Sequence, residues 1–403
     1  MVSAPSRWRW VIGAAAVSAV YLVVRSIADL HTAFGGGSAV DYLAIASAGR
    51  VVHGGSSCVY CAGALEAAQA QLLGYTPAAS ATFPVPFVNP ALMAWLIQPL
   101  AVLPLQTGTD VFVALNVVAM AVSATILTRR ASPHLGGPLA AALVVVAVFS
   151  LEAGTGVLLG QSDGLMLLAA TLAVEALVRR RPVLSGLLLV PLLLKPQLVW
   201  LVPPVLVVAR QWRMLGSLVS GAVAVLLGSI AVAGPGHLLD AIGLVTAPAY
   251  SHLDLQSNSI PALVARPLAS NTAAWVTALA LAAMAVAAMV VMRETLRRNV
   301  VPAVAVGIGL SVMLSPHLGD YSLMLLAVPV AVLAPRAPAL ALVLAASYTA
   351  ASFFNPLVTF NESTVALVLL AGLVAGVWRS AHPESRDRPR HVASRPAAGV
   401  SHA

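Results

Sequence analysis

Charge is what this chain has least of. Acidic and basic residues make up 9% of its 403 positions, against about 25% in a soluble globular domain whose surface must face water. Lysine is nearly missing: of 22 basic residues only Lys195 is not arginine. Cysteine is confined to Cys58 and Cys61. Two thiols cannot build a structural zinc site alone, and no histidine follows them as haem attachment requires. The CVYC pair is read either as a local disulfide, which an oxidising compartment permits, or as two free thiols. The chain has no phosphate-cradling glycine loop, no Walker motif and no HExxH; Gly35-Gly36-Gly37 reads as a connector. What it has in excess is apolar surface, 60% hydrophobic residues and a mean hydropathy of +0.92. It is expected to be an integral all-α membrane protein. The net charge of +8 then serves topology rather than nucleic-acid binding.

Apolar runs bounded by Pro, Gly or Arg predict spans at 11–27, 109–128, 138–151, 162–178, 214–233, 273–292, 300–314, 321–334, 337–354 and 363–378. A membrane helix needs roughly 20 residues. The longer stretch 183–209 is interrupted by Pro191, Pro196, Pro203 and Pro204. Because proline lacks a helix donor and clashes with the preceding turn, this stretch is read as two short helices meeting near Lys195. Placing every arginine cluster in the cytoplasm leaves only Arg25, Arg50, Lys195 and Arg266 outside. That solution requires the 13-residue run 91–103 to be interfacial or re-entrant. The expectation is about 12 spans, both termini cytoplasmic, in a single domain over 1–378. External loops are expected at 28–108 and 234–272. The polar, arginine-rich tail 379–403 is expected to be disordered, and membrane lipids are the expected surroundings.

In that topology, separate pieces of chain bring polar groups to one outer face. They are Asp41-Tyr42, Gln161-Ser162-Asp163, Lys195-Pro196-Gln197, and His317 with Asp320-Tyr321; the second loop adds His252, Asp254, Gln256, Asn258 and Arg266. Each has a plainer role open to it. Asp41 could be a solvated loop carboxylate, Lys195 could snorkel to the interface, and Asp320 could cap a helix. Ionisable groups within membrane stretches are nonetheless functional suspects, and the convergence suggests one extracytoplasmic site.

Five segments in order carry a family resemblance: DYLAIASAGRVVHGGSSCVY, FPVPFVNPALMAWLIQPLAVLP, the block from GQSDGLML through RRRPVLSG and KPQ to RQWR, QSNSIPALVAR, and SPHLGDYSLMLLAVP. Together they resemble glycosyltransferase family 87. The resemblance implies a GT-C fold in a bacterial plasma membrane, with the active site at the external face. It also implies transfer of a sugar, typically mannose, from a polyprenyl-phosphate carrier to a lipid-linked or glycolipid acceptor.

Asp41 matches the position of the family's carboxylate, which makes it the expected general base of an inverting displacement. The departing lipid phosphate calls for fixed cations, for which Lys195, Arg266 and His317 are the candidates. Tyr42, Gln161, Gln197, Asn258, Asp320 and Tyr321 are expected to orient substrate. A monophosphate leaving group needs less neutralisation than a diphosphate, so neither an obligatory metal nor a cofactor is expected. The competing reading is a transporter or flippase of lipid-linked sugars. Such proteins often pair broken helices between repeated halves, and only one broken hairpin is evident here.

Overall fold

The structure is a computed structural model that describes residues 39–74, 85–135, 137–148, 151–246, 259–268, 270–315 and 320–334. The expected spans 11–27, 337–354 and 363–378 and the tail 379–403 lie outside the described residues. Every described element is a helix. In chain order the first three are α1 (Val40–His53), α2 (Ala62–Leu73) and α3 (Ala91–Ala101). Next come α4 (Leu105–Leu135), α5 (Gly137–Val148), α6 (Leu151–Leu159), α7 (Asp163–Val178), α8 (Pro182–Leu188) and α9 (Val202–Val208). The remainder are α10 (Trp212–Ala233), α11 (Pro235–Thr246), α12 (Ile260–Ala265), α13 (Asn271–Val291), α14 (Arg293–Arg298), α15 (Val300–Met313) and α16 (Ala327–Leu333).

Three helices among the described residues are long and apolar enough to cross a bilayer: Leu105–Pro133, Trp212–Ala233 and Thr272–Val291. Their outer faces are unsuited to water. On α13, Val276, Leu279 and Met284 are each at least 60% exposed, a pattern suited to lipid contact. The three agree with the expected runs 109–128, 214–233 and 273–292. The other expected runs within the described residues form shorter helices.

One of them departs from a continuous span. Residues 321–334 begin in a 3-10 helix, Asp320–Leu326, and pass into α16 only at Ala327. Pro329 accounts for the break, since its ring clashes with the carbonyl four residues back and it donates no bond there. The region 28–108, expected as a loop, is folded where it is described: α1 packs on α2 and α3. At 11 residues, α3 is about 16 Å long, well short of a 30 Å hydrocarbon core.

The hairpin 183–209 is broken as its prolines predict. Two 3-10 segments, Val190–Leu194 and Pro196–Leu198, flank Lys195 between α8 and α9. Irregular backbone in an apolar stretch needs partners for its polar groups, and here α15 supplies them. Ser311 of α15 donates to the Gly307 carbonyl at 2.8 Å and accepts from Leu201 N at 3.0 Å, while Trp200 Nε1 donates to the Ser311 carbonyl at 3.0 Å.

Two apolar clusters result. The larger joins α4, α5, α7, the hairpin, α15 and α16; the smaller joins α1, α2 and α3 with Phe112 and Ala233. Leu194, next to Lys195, packs against both.

Candidate active site

At the seam between the clusters, polar groups from four elements form one chain of contacts. Gln161 Nε2 donates to Asp41 Oδ2 at 2.5 Å. Lys195 Nζ donates to Gln161 Oε1 and to Asp163 Oδ2, the latter at 2.5 Å. Ser322 Oγ donates to the second oxygen of Asp163, Oδ1, also at 2.5 Å. One amide thus connects Asp41 to the chain's only lysine.

Local sequence explains why Gln161 faces Asp41. Helix α6 ends in a reversed turn: Gly160 N bonds to the Val157 carbonyl at 3.1 Å and Gln161 N to the Gly156 carbonyl at 2.8 Å. This is the Schellman pattern, which places a left-handed residue just past the helix. Gly160 has φ +72, and a Cβ there would stand 2.5 Å from the Cβ of Tyr42. Glycine therefore meets two demands at once, the backbone conformation and the approach to α1.

The two carboxylates occupy equivalent places. Asp41 is in the first turn of α1 and Asp163 in the first turn of α7, where the helix dipole favours negative charge. Ser162 gives no side-chain cap to α7. Instead Asn116, reaching from α4, accepts from Leu165 N at 3.2 Å. Lys195 and Asp163 are buried, and Asp41 is half-buried. Burial pushes the Asp41 carboxyl above its ordinary value of 3.8; the Gln161 hydrogen bond and the Lys195 charge pull it down, and the Asp163 charge raises it. Desolvation wins.

The other expected site residues are placed as follows. Tyr42 is 1% exposed. Its hydroxyl points to the Leu100 carbonyl at 3.4 Å and its ring lies 5.2 Å from that of Phe112, so its work here is to fix α1 against its neighbours. Gln197 is half-buried two residues beyond Lys195. Arg266 lies in the 3-10 turn Arg266–Leu268, and Asp320 and Tyr321 open the 3-10 helix Asp320–Leu326; the side chains of these three are not described. Asn258 and His317 lie outside the described residues, as do His252, Asp254 and Gln256.

Lys195, expected to meet a phosphate, is already paired with Asp163. Asp163 belonged to the recognised QSD triplet but was not among the expected site residues, and Ser322 carried no signal beyond following Asp-Tyr. On the last turn of α1, Arg50 donates to the Ala101 and Leu103 carbonyls at 2.9 and 3.3 Å and so closes the end of α3. Cys58 and Cys61 form a disulfide, resolving the alternative left open above.

A helical body with lipid-suited faces and a carboxylate–amide–ammonium relay at the seam of its core defines an integral membrane protein with a built polar centre. The chain belongs to glycosyltransferase family 87, whose family model matches residues 87–316, and it is accordingly a membrane glycosyltransferase. The match includes Gln161, Asp163 and Lys195 and stops short of Asp41, which joins them through geometry. No curated protein and no solved structure matches the chain.

Proposed function

We propose that the protein transfers a sugar, mannose as the first candidate, from a polyprenyl-phosphate donor to a lipid-linked or glycolipid acceptor at the extracytoplasmic membrane face. The observation that carries this reading is the Gln161 bridge between Asp41 and Lys195. Asp41 is the general base. An acceptor hydroxyl becomes an effective nucleophile as a positioned carboxylate takes its proton, and a carboxyl raised by burial holds that proton more readily than one in water.

A single base beside the anomeric carbon suits one displacement with inversion. The acceptor oxygen forms its bond to the anomeric carbon as the bond to the donor phosphate oxygen breaks, and the proton passes to Asp41. Lys195 positions this base: it holds the Gln161 carbonyl oxygen, which leaves the amide nitrogen to donate to Asp41. Because Asp163 neutralises Lys195, the developing charge of the lipid phosphate falls to Arg266 and His317 among the expected cations. The disulfide supports an oxidising, external location for the α1–α2 connection.

Purified protein supplied with radiolabelled polyprenyl-phosphate mannose and a membrane-lipid acceptor extract should form a labelled glycolipid with inverted anomeric configuration. Asp41→Asn should accumulate normally in membranes and give none. Movement of the donor across proteoliposomes without transfer would instead identify a flippase.

A further inference from the structure

At the far end of α7 from Asp163 lies a second polar feature. This 16-residue helix is about 24 Å long at 1.5 Å per residue. Around its last turn is a cavity of about 500 Å³, within the roughly 300–1,000 Å³ range of small-molecule sites. Arg129 and Arg130 of α4, together with Arg179 and Arg181 from the turn between α7 and α8, line it with Glu175. Four arginines thus share the lining with one glutamate. Glu175 accepts from Arg130 Nη1 at 3.2 Å, and the buried Nε of Arg130 has no hydrogen-bond partner among the described residues.

The rest of the lining is aliphatic and includes Ile126, Leu172, Leu184 and Leu188. Leu184 is 41% exposed, and Val183 and Leu187 beside it on α8 are 49% exposed. Arginine-rich helix ends are accounted for by topology alone; a cavity that gathers four of them from two separate chain segments beside an apolar wall is not. The chemistry that fits is a phosphate ester carrying hydrocarbon: guanidinium forks match phosphate oxygens, and the aliphatic wall suits an acyl chain.

We propose that this cavity is a binding site for an anionic phospholipid, with the phosphate between the α4 arginines and the α7–α8 turn and the chains along α8. The site is separate from the Asp41 centre and does not depend on the reaction assigned there.

The test is native mass spectrometry of the full-length protein in detergent, titrated separately with phosphatidylglycerol, phosphatidylcholine and inorganic phosphate. Wild type should retain phosphatidylglycerol preferentially. An interfacial cation contributes roughly fivefold in affinity, so Arg179→Gln/Arg181→Gln should cut retention by about thirtyfold. Both arginines are exposed, so these changes remove charge without opening the core. Arg293→Gln/Arg298→Gln, on exposed positions of α14 away from the cavity, should retain the lipid as wild type does. Equal retention of the two lipids overturns the proposal. So does undiminished retention by the Arg179/Arg181 variant, or an equal loss in the α14 variant. Competition by inorganic phosphate at concentrations matching the lipid would identify a soluble-anion site and overturn the lipid assignment.

Discussion

Lys195 reaches Asp163 at 2.5 Å with side-chain exposures of 9% and 1%, so the only lysine in the chain is held in a buried ion pair. Removing one member leaves the other charge buried and unmatched, which typically costs about 3–5 kcal/mol, whereas replacing both can be nearly neutral. Lys195→Met alone should therefore lower the melting temperature strongly. Lys195→Met/Asp163→Asn should recover most of that loss yet stay poor in transfer, because Gln161 has lost its anchor. Differential scanning fluorimetry with a transfer assay on wild type, Lys195→Met, Asp163→Asn and the double variant checks this. Additive destabilisation in the double variant would remove the pair from the account.

Gly160 is predicted to tolerate no side chain. Its left-handed backbone disfavours alanine by about 1–2 kcal/mol, and the added Cβ would stand 2.5 Å from Tyr42 Cβ. Gly160→Ala should be less stable than wild type by more than the backbone cost alone. It should also transfer poorly, because the turn that aims Gln161 is displaced. A variant with unchanged melting and unchanged turnover would mean that this turn does not set the relay.

Much of this arrangement was legible in the sequence. The broken hairpin follows from four prolines around one lysine, and the meeting of Asp41, Gln161 and Lys195 from polar residues that interrupt apolar runs on one predicted face. Asp163 was less legible as a site residue because a carboxylate opening a helix already has a local explanation. Ser322 was invisible: a serine near a helix start is ordinary, and its bond to Asp163 spans 159 positions. Tyr42 shows the opposite difficulty. An aromatic next to a suspected base suggests sugar contact, yet its place on the helix turns Tyr42 into the core against α3 and Phe112, which pattern alone could not decide without knowing what packs there. The 3-10 start of 320–326 was signalled by Pro329, although hydropathy gave the run the look of a continuous span.

Arg210 is predicted to be a site of easy stabilisation. It has φ +56 and follows α9, with Gln211 N bonded to the Leu206 carbonyl at 2.8 Å, the same reversed turn that ends α6 at a glycine. A non-glycine residue there is strained, so Arg210→Gly should gain on the order of 0.5–1 kcal/mol after glycine's own entropy cost. Thermal unfolding in detergent measures the sign. A loss of stability would mean that the Arg210 side chain contributes more than its backbone costs.

The pH dependence of transfer tests the Asp41 assignment most directly. The base must be ionised, and burial raises its carboxyl above 3.8, so activity should fall on acidification through a pH above the ordinary aspartate range. For stability the sign is opposite to that of a salt-bridged aspartate. A carboxyl raised by folding is penalised when ionised, so the penalty grows as pH rises from 3.8 through the folded value, and Asp41→Asn should leave neutral-pH melting unchanged or slightly higher. Gln161 donates to the ionised form and holds the value down. Gln161→Leu should accordingly move the acid limb of the residual activity to higher pH. A shift to lower pH, or an acid limb that persists unchanged in Asp41→Glu and Gln161→Leu alike, would place the titrating base elsewhere.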